Sequence, residues 1–154
     1  MEASRRVPAL VVRVDEGEQI RAAGIEHVFK LTGATTGGRL GLEEFVVPPG
    51  AVGARPHIHH AHDEYFAVLE GQLTVATEDG DVVIGPGDLA AASRGALHGF
   101  RNAHTEVPAK ALCIYTPAGY EQYFRDVHAA LEAGTELSDD LLRDLRRRYQ
   151  TETL

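Results

Sequence analysis

Short apolar segments recur along the first 116 residues and are separated by breaks that contain glycine or proline. Each segment runs for about five to eight residues, and apolar and polar residues alternate in several of them. Segments of this length and spacing are typical of the antiparallel strands of a barrel or sandwich. The pattern predicts nine strands, over residues 11–14, 27–31, 40–47, 64–70, 73–77, 82–84, 89–92, 97–102 and 109–116.

One of the breaks also predicts how its flanking strands pair. Asp79-Gly80 lies between the strands predicted at 73–77 and 82–84. This dipeptide tolerates the positive φ angles of a tight hairpin turn. We therefore expect these two strands to be antiparallel neighbours.

The periodicity changes after Pro117, where apolar residues follow helical spacing. This predicts one helix over about 119–133, and Gly134 is suited to end it. A second helix is predicted over about 138–149, with Ser138 as its cap and arginines in its last turns. The arginines either compensate the helix dipole, which we favour, or bind an anion. We expect a single domain over residues 1–154, with a barrel over about 7–116 and a tail of two helices.

Composition and charge narrow the classes of partner. The chain has 154 residues, of which 44% are hydrophobic and 25% charged, so global disorder is excluded. Its formal net charge of -8 would repel phosphates, which argues against nucleic acid and anionic membranes as partners. Cys113 is the one cysteine and excludes an intrachain disulfide framework. No apolar run is long enough to span a bilayer, and no secretion signal follows Met1, so a cytoplasmic location is expected.

The candidate functional residues are histidines, since four of the eight in the chain fall within residues 57–62. His57 and His59 point to the same side of a strand, since strand side chains alternate. Glu64 begins the next predicted strand and His98 opens another. Three imidazoles and one carboxylate suit one divalent transition metal (Fe, Mn, Ni, Co, Cu or Zn) better than Ca or Mg.

The spacing of these residues resembles the two sequence motifs of the cupins. The first motif is matched by His57-x-His59, four residues, Glu64, six residues and Gly71. Ala51 stands where the leading glycine of this motif is usual. The second motif is matched by Gly87, five residues, Ser93-Arg94-Gly95, two residues, His98, three residues and Asn102, with Ser93 in place of proline. The resemblance covers about residues 25–132. It implies an all-β, cupin-type jelly-roll β-barrel that holds the metal through His57, His59, Glu64 and His98.

Other histidines lie outside the motif positions. His60 is expected to point away from His59. His62 lies in the turn, where a surface position is favoured over one beside the ligands. His27 is given no functional role.

A narrower resemblance, to quercetin-dioxygenase-like single-domain cupins, is carried by Tyr120, Tyr123 and Phe124. It implies an oxygenase acting on an enol- or phenol-bearing small molecule, with Glu64 as both ligand and catalytic base. Residues at the parity of the ligands are expected to form the substrate pocket, namely Phe66, Val68, Phe100 and Asn102. Their largely apolar character favours an aromatic or polyketide-like substrate.

Two other functions are compatible with the same site. One is a non-redox, metal-dependent cyclase or isomerase of polyketide-like substrates. The other is a non-catalytic cupin that binds a small molecule. Finally, the apolar segment 7–14 resembles an open sheet edge, which favours a homodimer.

Overall fold

The computed structural model describes residues 6–154 and builds them mainly from antiparallel strands. Residues 1–5, which include the start of the segment examined for a secretion signal, lie outside the described residues. The strands are β1 Glu18–Ala22, β2 Ile25–Leu31, β3 Gly41–Val47, β4 Val52–His59, β5 Asp63–Glu70, β6 Leu73–Thr77, β7 Gly80–Ile84, β8 Leu89–Ala92, β9 Leu97–Arg101, β10 Ala109–Thr116 and β11 Thr151–Thr153. The helices are α1 Gly33–Thr36, α2 Glu121–Glu132 and α3 Asp139–Arg148.

The strands form two sheets, and the chain crosses between them repeatedly. One sheet has the order β1-β2-β3-β10-β5-β8 and the other β11-β4-β9-β6-β7. Within the described part of the chain, strands pair only inside each sheet, so the jelly roll is a two-sheet sandwich without full closure. The all-β fold class and the two C-terminal helices are confirmed.

The space between the sheets is filled by residues of one parity. In β3 and β10 every second side chain is buried, and Cys113 pairs with Glu43 across the ladder. Phe45 and Val47 are almost fully buried on the same face. Because successive strand residues face opposite sides, one face supplies the core and the other meets solvent. The inner face of these strands therefore determines what the cavity contains.

Eight of the nine predicted strands are present, including the β6–β7 hairpin at Asp79-Gly80. The strand predicted at 11–14 is wrong, since this segment is irregular and Val14 is 84% exposed. Lys30 holds this segment through hydrogen bonds rather than strand pairing. Its Nζ donates to the backbone carbonyls of Arg13 and Val14 at 2.9 Å. β1, which the sequence pattern missed because it is largely polar, forms the sheet edge instead. The homodimer stays a prediction.

Both C-terminal helices lie within the predicted limits. Ser138 caps α3, because its Oγ accepts a hydrogen bond from the Leu141 amide at 3.2 Å. Glu121 anchors the start of α2 to the sandwich, since its carboxylate accepts hydrogen bonds from the amides of Gly33 and Gly119. No described helix is both long and apolar enough to cross a membrane. Residues of both helices cover one end of the space between the sheets, where the candidate site lies.

Candidate metal centre

Three strands bring the four predicted ligands together. His57 and His59 come from β4, Glu64 from β5 and His98 from β9. His57 lies directly opposite His98 in the β4–β9 ladder, and a three-residue turn carries the chain from His59 towards Glu64 in the other sheet. One ligand atom from each residue lies within 4.8 Å of the others, and all four residues are buried.

Outer hydrogen bonds orient the three imidazoles. Nδ1–H of His57 donates to the Arg55 carbonyl at 2.7 Å, and that of His98 donates to the Ala96 carbonyl at 3.1 Å. His59 bonds through Nδ1 to the Thr151 hydroxyl at 2.7 Å. A histidine that donates from Nδ1 keeps a lone pair on Nε2, which is the tautomer a metal ligand needs. The Thr151 hydroxyl donates to the Tyr149 carbonyl at 3.4 Å, so it accepts from Nδ1 of His59. All three Nε2 atoms therefore present lone pairs to the same point.

This convergence fits a bound cation. Nε2 of His57 lies 3.0 Å from Nε2 of His59, a distance at which two lone pairs repel unless a proton or metal ion lies between them. Burial, reinforced by His98 and His59, lowers the pKa of His57 to about 3, so a proton is not available at neutral pH. Three neutral imidazoles with one carboxylate are the donors that divalent transition metals prefer. The residues present thus fit the group that the sequence predicts.

Glu64 completes the set as a carboxylate. Its Oε1 lies 3.0 Å from Nε2 of His59 and its Oε2 lies 3.2 Å from Nε2 of His98. Burial opposes ionisation, but the histidines around Glu64 outweigh it and hold the pKa of this carboxyl well below its usual value. The ionised form is the one that binds metal ions.

A fifth residue, His62, belongs to this cluster, and the surface position favoured for it is wrong. The His62 side chain is buried, and its Nε2 lies 3.0 Å from Oε1 of Glu64. Its ring packs 4.5 Å from the ring of Tyr120. The signal was present in the sequence, because His62 stands two residues before Glu64 and so shares its side of an extended chain. His62 orients the carboxylate from outside the ligand set.

Removing this support is expected to weaken metal binding without abolishing it. His62→Phe keeps a ring beside Tyr120 but loses the hydrogen bond to Glu64, and losses of this kind cost about 10–100-fold in metal affinity. Competition with a chromophoric chelator measures the change. His60→Phe is the matched control, since His60 is exposed and its ring bonds to Glu152, away from the ligands. Equal affinity in the two variants would show that His62 does not support the site.

The metal centre forms part of the wall of a small cavity between the sheets and the helices. The cavity has a volume of about 70 Å³. Phe66 and Phe100 line it, as expected for pocket residues, and so do Tyr120, Tyr123 and Phe124 from the α2 region. The aromatic stripe of α2 therefore both packs against the core and faces the cavity.

Two residues expected in the pocket lie elsewhere. Val68 is buried in the apolar core, outside the set of residues that line the cavity. Asn102 is also absent from that lining, because its side chain ties down the loop after β9. Its Nδ2 donates to the carbonyls of Val47 and Val107, and its Oδ1 accepts from the His104 amide.

The cavity contains a second polar pair that the sequence analysis did not assign. His27 on β2 and Glu43 on β3 are both buried, with Nδ1 of His27 3.2 Å from Oε2 of Glu43. Burial raises the pKa of Glu43, and attraction to His27 only partly offsets this. The sequence did carry a signal for this pair, because His27 and Glu43 are polar residues at inward-facing positions of strands that are otherwise apolar on that side. Cys113 also lines the cavity, and burial raises the pKa of its thiol well above the usual value, so it is the inert thiol expected.

Comparison with known proteins places this geometry among related folds. A family model described as a Cupin domain matches residues 43–115. Quercetin 2,3-dioxygenase from Bacillus subtilis (strain 168) is 31% identical over 70 residues, which is 45% of this chain. The matched segment spans only 20% of that relative's length.

Solved structures with the same architecture come from proteins with different names. A sugar phosphate isomerase from Silicibacter pomeroyi is 26% identical, with a TM-score of 0.61 over 70% of this chain and 75% of that one. KdgF from Halomonas sp. is 22% identical, with a TM-score of 0.62 over 72% of this chain and 97% of that one. The second of these likenesses shows the fold alone.

Proposed function

This chain belongs to the cupin superfamily, and from that premise we propose that it is a metal-dependent oxygenase acting on a small molecule with an enol or phenol group. Its cofactor is one divalent transition metal per chain, held by His57, His59, Glu64 and His98. The observation that carries the proposal is the convergence of three Nε2 lone pairs and one carboxylate on a single buried point.

The net charge of the metal with this donor set determines which ligand atoms the centre favours. A divalent ion among three neutral histidines and one carboxylate has a net charge near +1, and when bound it supplies a Lewis-acidic centre for an enolate or phenolate oxygen. Phe66 and Phe100 give the same space apolar walls. A less polar surrounding strengthens the attraction between the charged oxygen and the site.

Glu64 is the residue proposed to take the proton of the enol or phenol. Attraction to His59 and the hydrogen bond from His62 hold the pKa of Glu64 low, which makes it a weak base on its own. It therefore serves as a base only for a substrate whose own acidity rises on binding. His62 donates to Oε1, so Oε2, which lies 3.2 Å from Nε2 of His98, is the oxygen proposed to receive the proton.

Oxygen uptake tests this proposal. Protein loaded separately with Fe, Mn, Co, Ni or Cu is expected to consume oxygen with at least one member of a panel of flavonols, catechols and β-diketones. Glu64→Gln, with its metal content measured in parallel, is expected to lose that uptake. The similarity to a quercetin 2,3-dioxygenase is the reason for the choice of panel. Absence of uptake across the panel with metal in place would exclude an oxygenase of this substrate class.

A non-redox isomerase or cyclase is the second candidate, and two observations favour it. The cavity of about 70 Å³ is small beside the ~300–1,000 Å³ of pockets for drug-sized ligands. The buried His27–Glu43 pair places proton-exchanging groups in the same cavity. Turnover with Zn in the absence of oxygen would establish this alternative. Binding without turnover under either condition would leave the non-catalytic cupin.

A further inference from the structure

We propose that the cavity takes a short hydroxy- or oxo-carboxylate, whose acid group is held by Arg146 of α3. The inference rests on the metal centre of the proposed function, because it assumes that the hydroxyl or the enolisable carbonyl oxygen of the same ligand faces the metal. It goes beyond that function by assigning a residue outside the metal centre to substrate recognition.

Arg146 is held in place at the cavity by two neighbouring elements. Its side chain lines the cavity that the metal ligands also line, and the residue is half-buried. Nη1 donates to the Thr153 hydroxyl of β11 at 3.3 Å, and Cζ lies 6.0 Å from the centre of the Tyr123 ring. A guanidinium has five N–H donors in a fixed fork, so most of them remain for a ligand carboxylate.

The other arginines around Arg146 differ from it. Arg143 pairs with Asp140 at 2.9 Å and Arg147 pairs with Asp144 at 3.6 Å, both on the outer surface of α3. Among residues 6–154, no carboxylate lies within ion-pair distance of Arg146. Ion pairs on the helix surface therefore account for Arg143 and Arg147. Arg146 instead carries a positive charge at the cavity, without an acidic partner in the described chain.

The remaining charges of the cavity favour an anion. Glu64 is balanced by its histidines and by the metal that we propose, which leaves a net positive centre. Glu43 is paired with His27, and burial disfavours its ionised form by raising its pKa. A carboxylate that enters thus meets positive charge from both Arg146 and the metal centre. In surroundings shielded from water, both attractions are stronger than in solvent.

The size of the cavity sets the length of the ligand. A volume of about 70 Å³ excludes flavonol-sized rings while the helices remain in place, but it admits an acid of a few carbons. A carboxylate on Arg146 needs a second oxygen, as hydroxyl or carbonyl, to reach the metal centre. Short hydroxy- and oxo-acids combine both groups in one compact molecule.

Calorimetric titration of the metal-loaded protein with matched probes tests the inference. Lactate and pyruvate are the acids, and lactamide and pyruvamide are the neutral analogues of nearly the same size. The acids are expected to bind at least tenfold more tightly than the amides, since a charge-assisted, two-pronged hydrogen bond is worth about 10–100-fold. Arg146→Met is expected to reduce this preference at least tenfold, leaving only the part due to the metal, and Arg146→Lys to retain more of it through its charge.

Arg147→Met is the matched control, because it removes an equal charge from the outer face of the same helix. Equal binding of acids and amides by the unmodified protein, no binding of any probe, or an equal loss in Arg147→Met would each overturn the inference. Metal content is measured on every sample. A protein that binds no metal contradicts the proposed function, whereas full metal occupancy without acid preference contradicts only the role of Arg146.

Discussion

Replacing His57 with alanine is expected to reduce the bound metal from about one ion per chain to nearly none. His57 supplies one of four donors, and its Nε2 is the atom that lies 3.0 Å from Nε2 of His59. Loss of a direct ligand should exceed the ~100-fold upper range seen when only an outer hydrogen bond is lost. Plasma mass spectrometry on untagged protein measures the occupancy, and His98→Ala is expected to behave in the same way.

His60→Ala is the control that separates a built site from a histidine-rich surface. His60 is one residue from His59, but it is exposed and its ring bonds to Glu152 at 3.1 Å. We expect this variant to keep its full metal content. Loss of metal in His60→Ala to the same degree, or retention of metal in His57→Ala, would show that the ion binds elsewhere. Circular dichroism establishes that the compared proteins have the same strand content.

The ligands were predictable because their geometry is local. Alternation along one strand is enough to put His57 and His59 on one side, and the motif spacing adds Glu64 and His98. The same rule put Phe66 and Phe100 on the side of their strands that faces the cavity. Alternation does not show how far along the strand the cavity extends. Val68 lies on the same side as Phe66, but it is two residues further, about 7 Å along the strand, and packs in the core instead. Parity therefore predicts a face, and only the structure shows where a cavity ends.

Long-range contacts were beyond the sequence pattern. Thr151, which orients His59, is 92 residues away and lies on a three-residue strand too short for a periodic signal. The pairing of His27 with Glu43 depends on β2 and β3 being neighbours in one sheet, which single-strand patterns do not specify. Arg146 similarly faces the cavity because of how α3 packs.

The His27–Glu43 pair is the basis of the second large expected effect, which is on stability. His27→Leu leaves the Glu43 carboxyl buried without the partner that lies 3.2 Å away in the native protein. At a pH where Glu43 is ionised, breaking a buried pair in this way costs about 3–5 kcal/mol in free energy of unfolding. The double variant His27→Leu/Glu43→Leu should recover most of this, because two apolar side chains suit a cavity lined by Ile25 and Phe124. Urea denaturation of chelator-treated protein measures both.

The penalty in His27→Leu should also depend on pH, with a defined sign. Burial raises the folded-state pKa of Glu43 above the ordinary value of 4.5, so the folded protein holds this proton more tightly than the unfolded chain. Stability then falls as pH rises from about 4.5 through the raised pKa. Loss of the attraction to His27 raises that pKa further, so the difference from the unmodified protein should be greater at pH 8 than at pH 5. A difference independent of pH would mean that Glu43 does not ionise in the folded state.

A stable double variant would bear on why the pair exists. A buried ionisable pair that apolar residues replace at no cost is not retained for stability, and such groups cluster at functional sites. If the pair exchanges protons with a ligand, His27→Leu/Glu43→Leu should be nearly as stable as the unmodified protein and keep its metal. It should turn over substrate about 10²–10⁴-fold more slowly, which is the typical contribution of an acid–base group. Unchanged turnover in a stable, metal-loaded double variant would assign the pair to packing, and would favour the oxygenase over the isomerase.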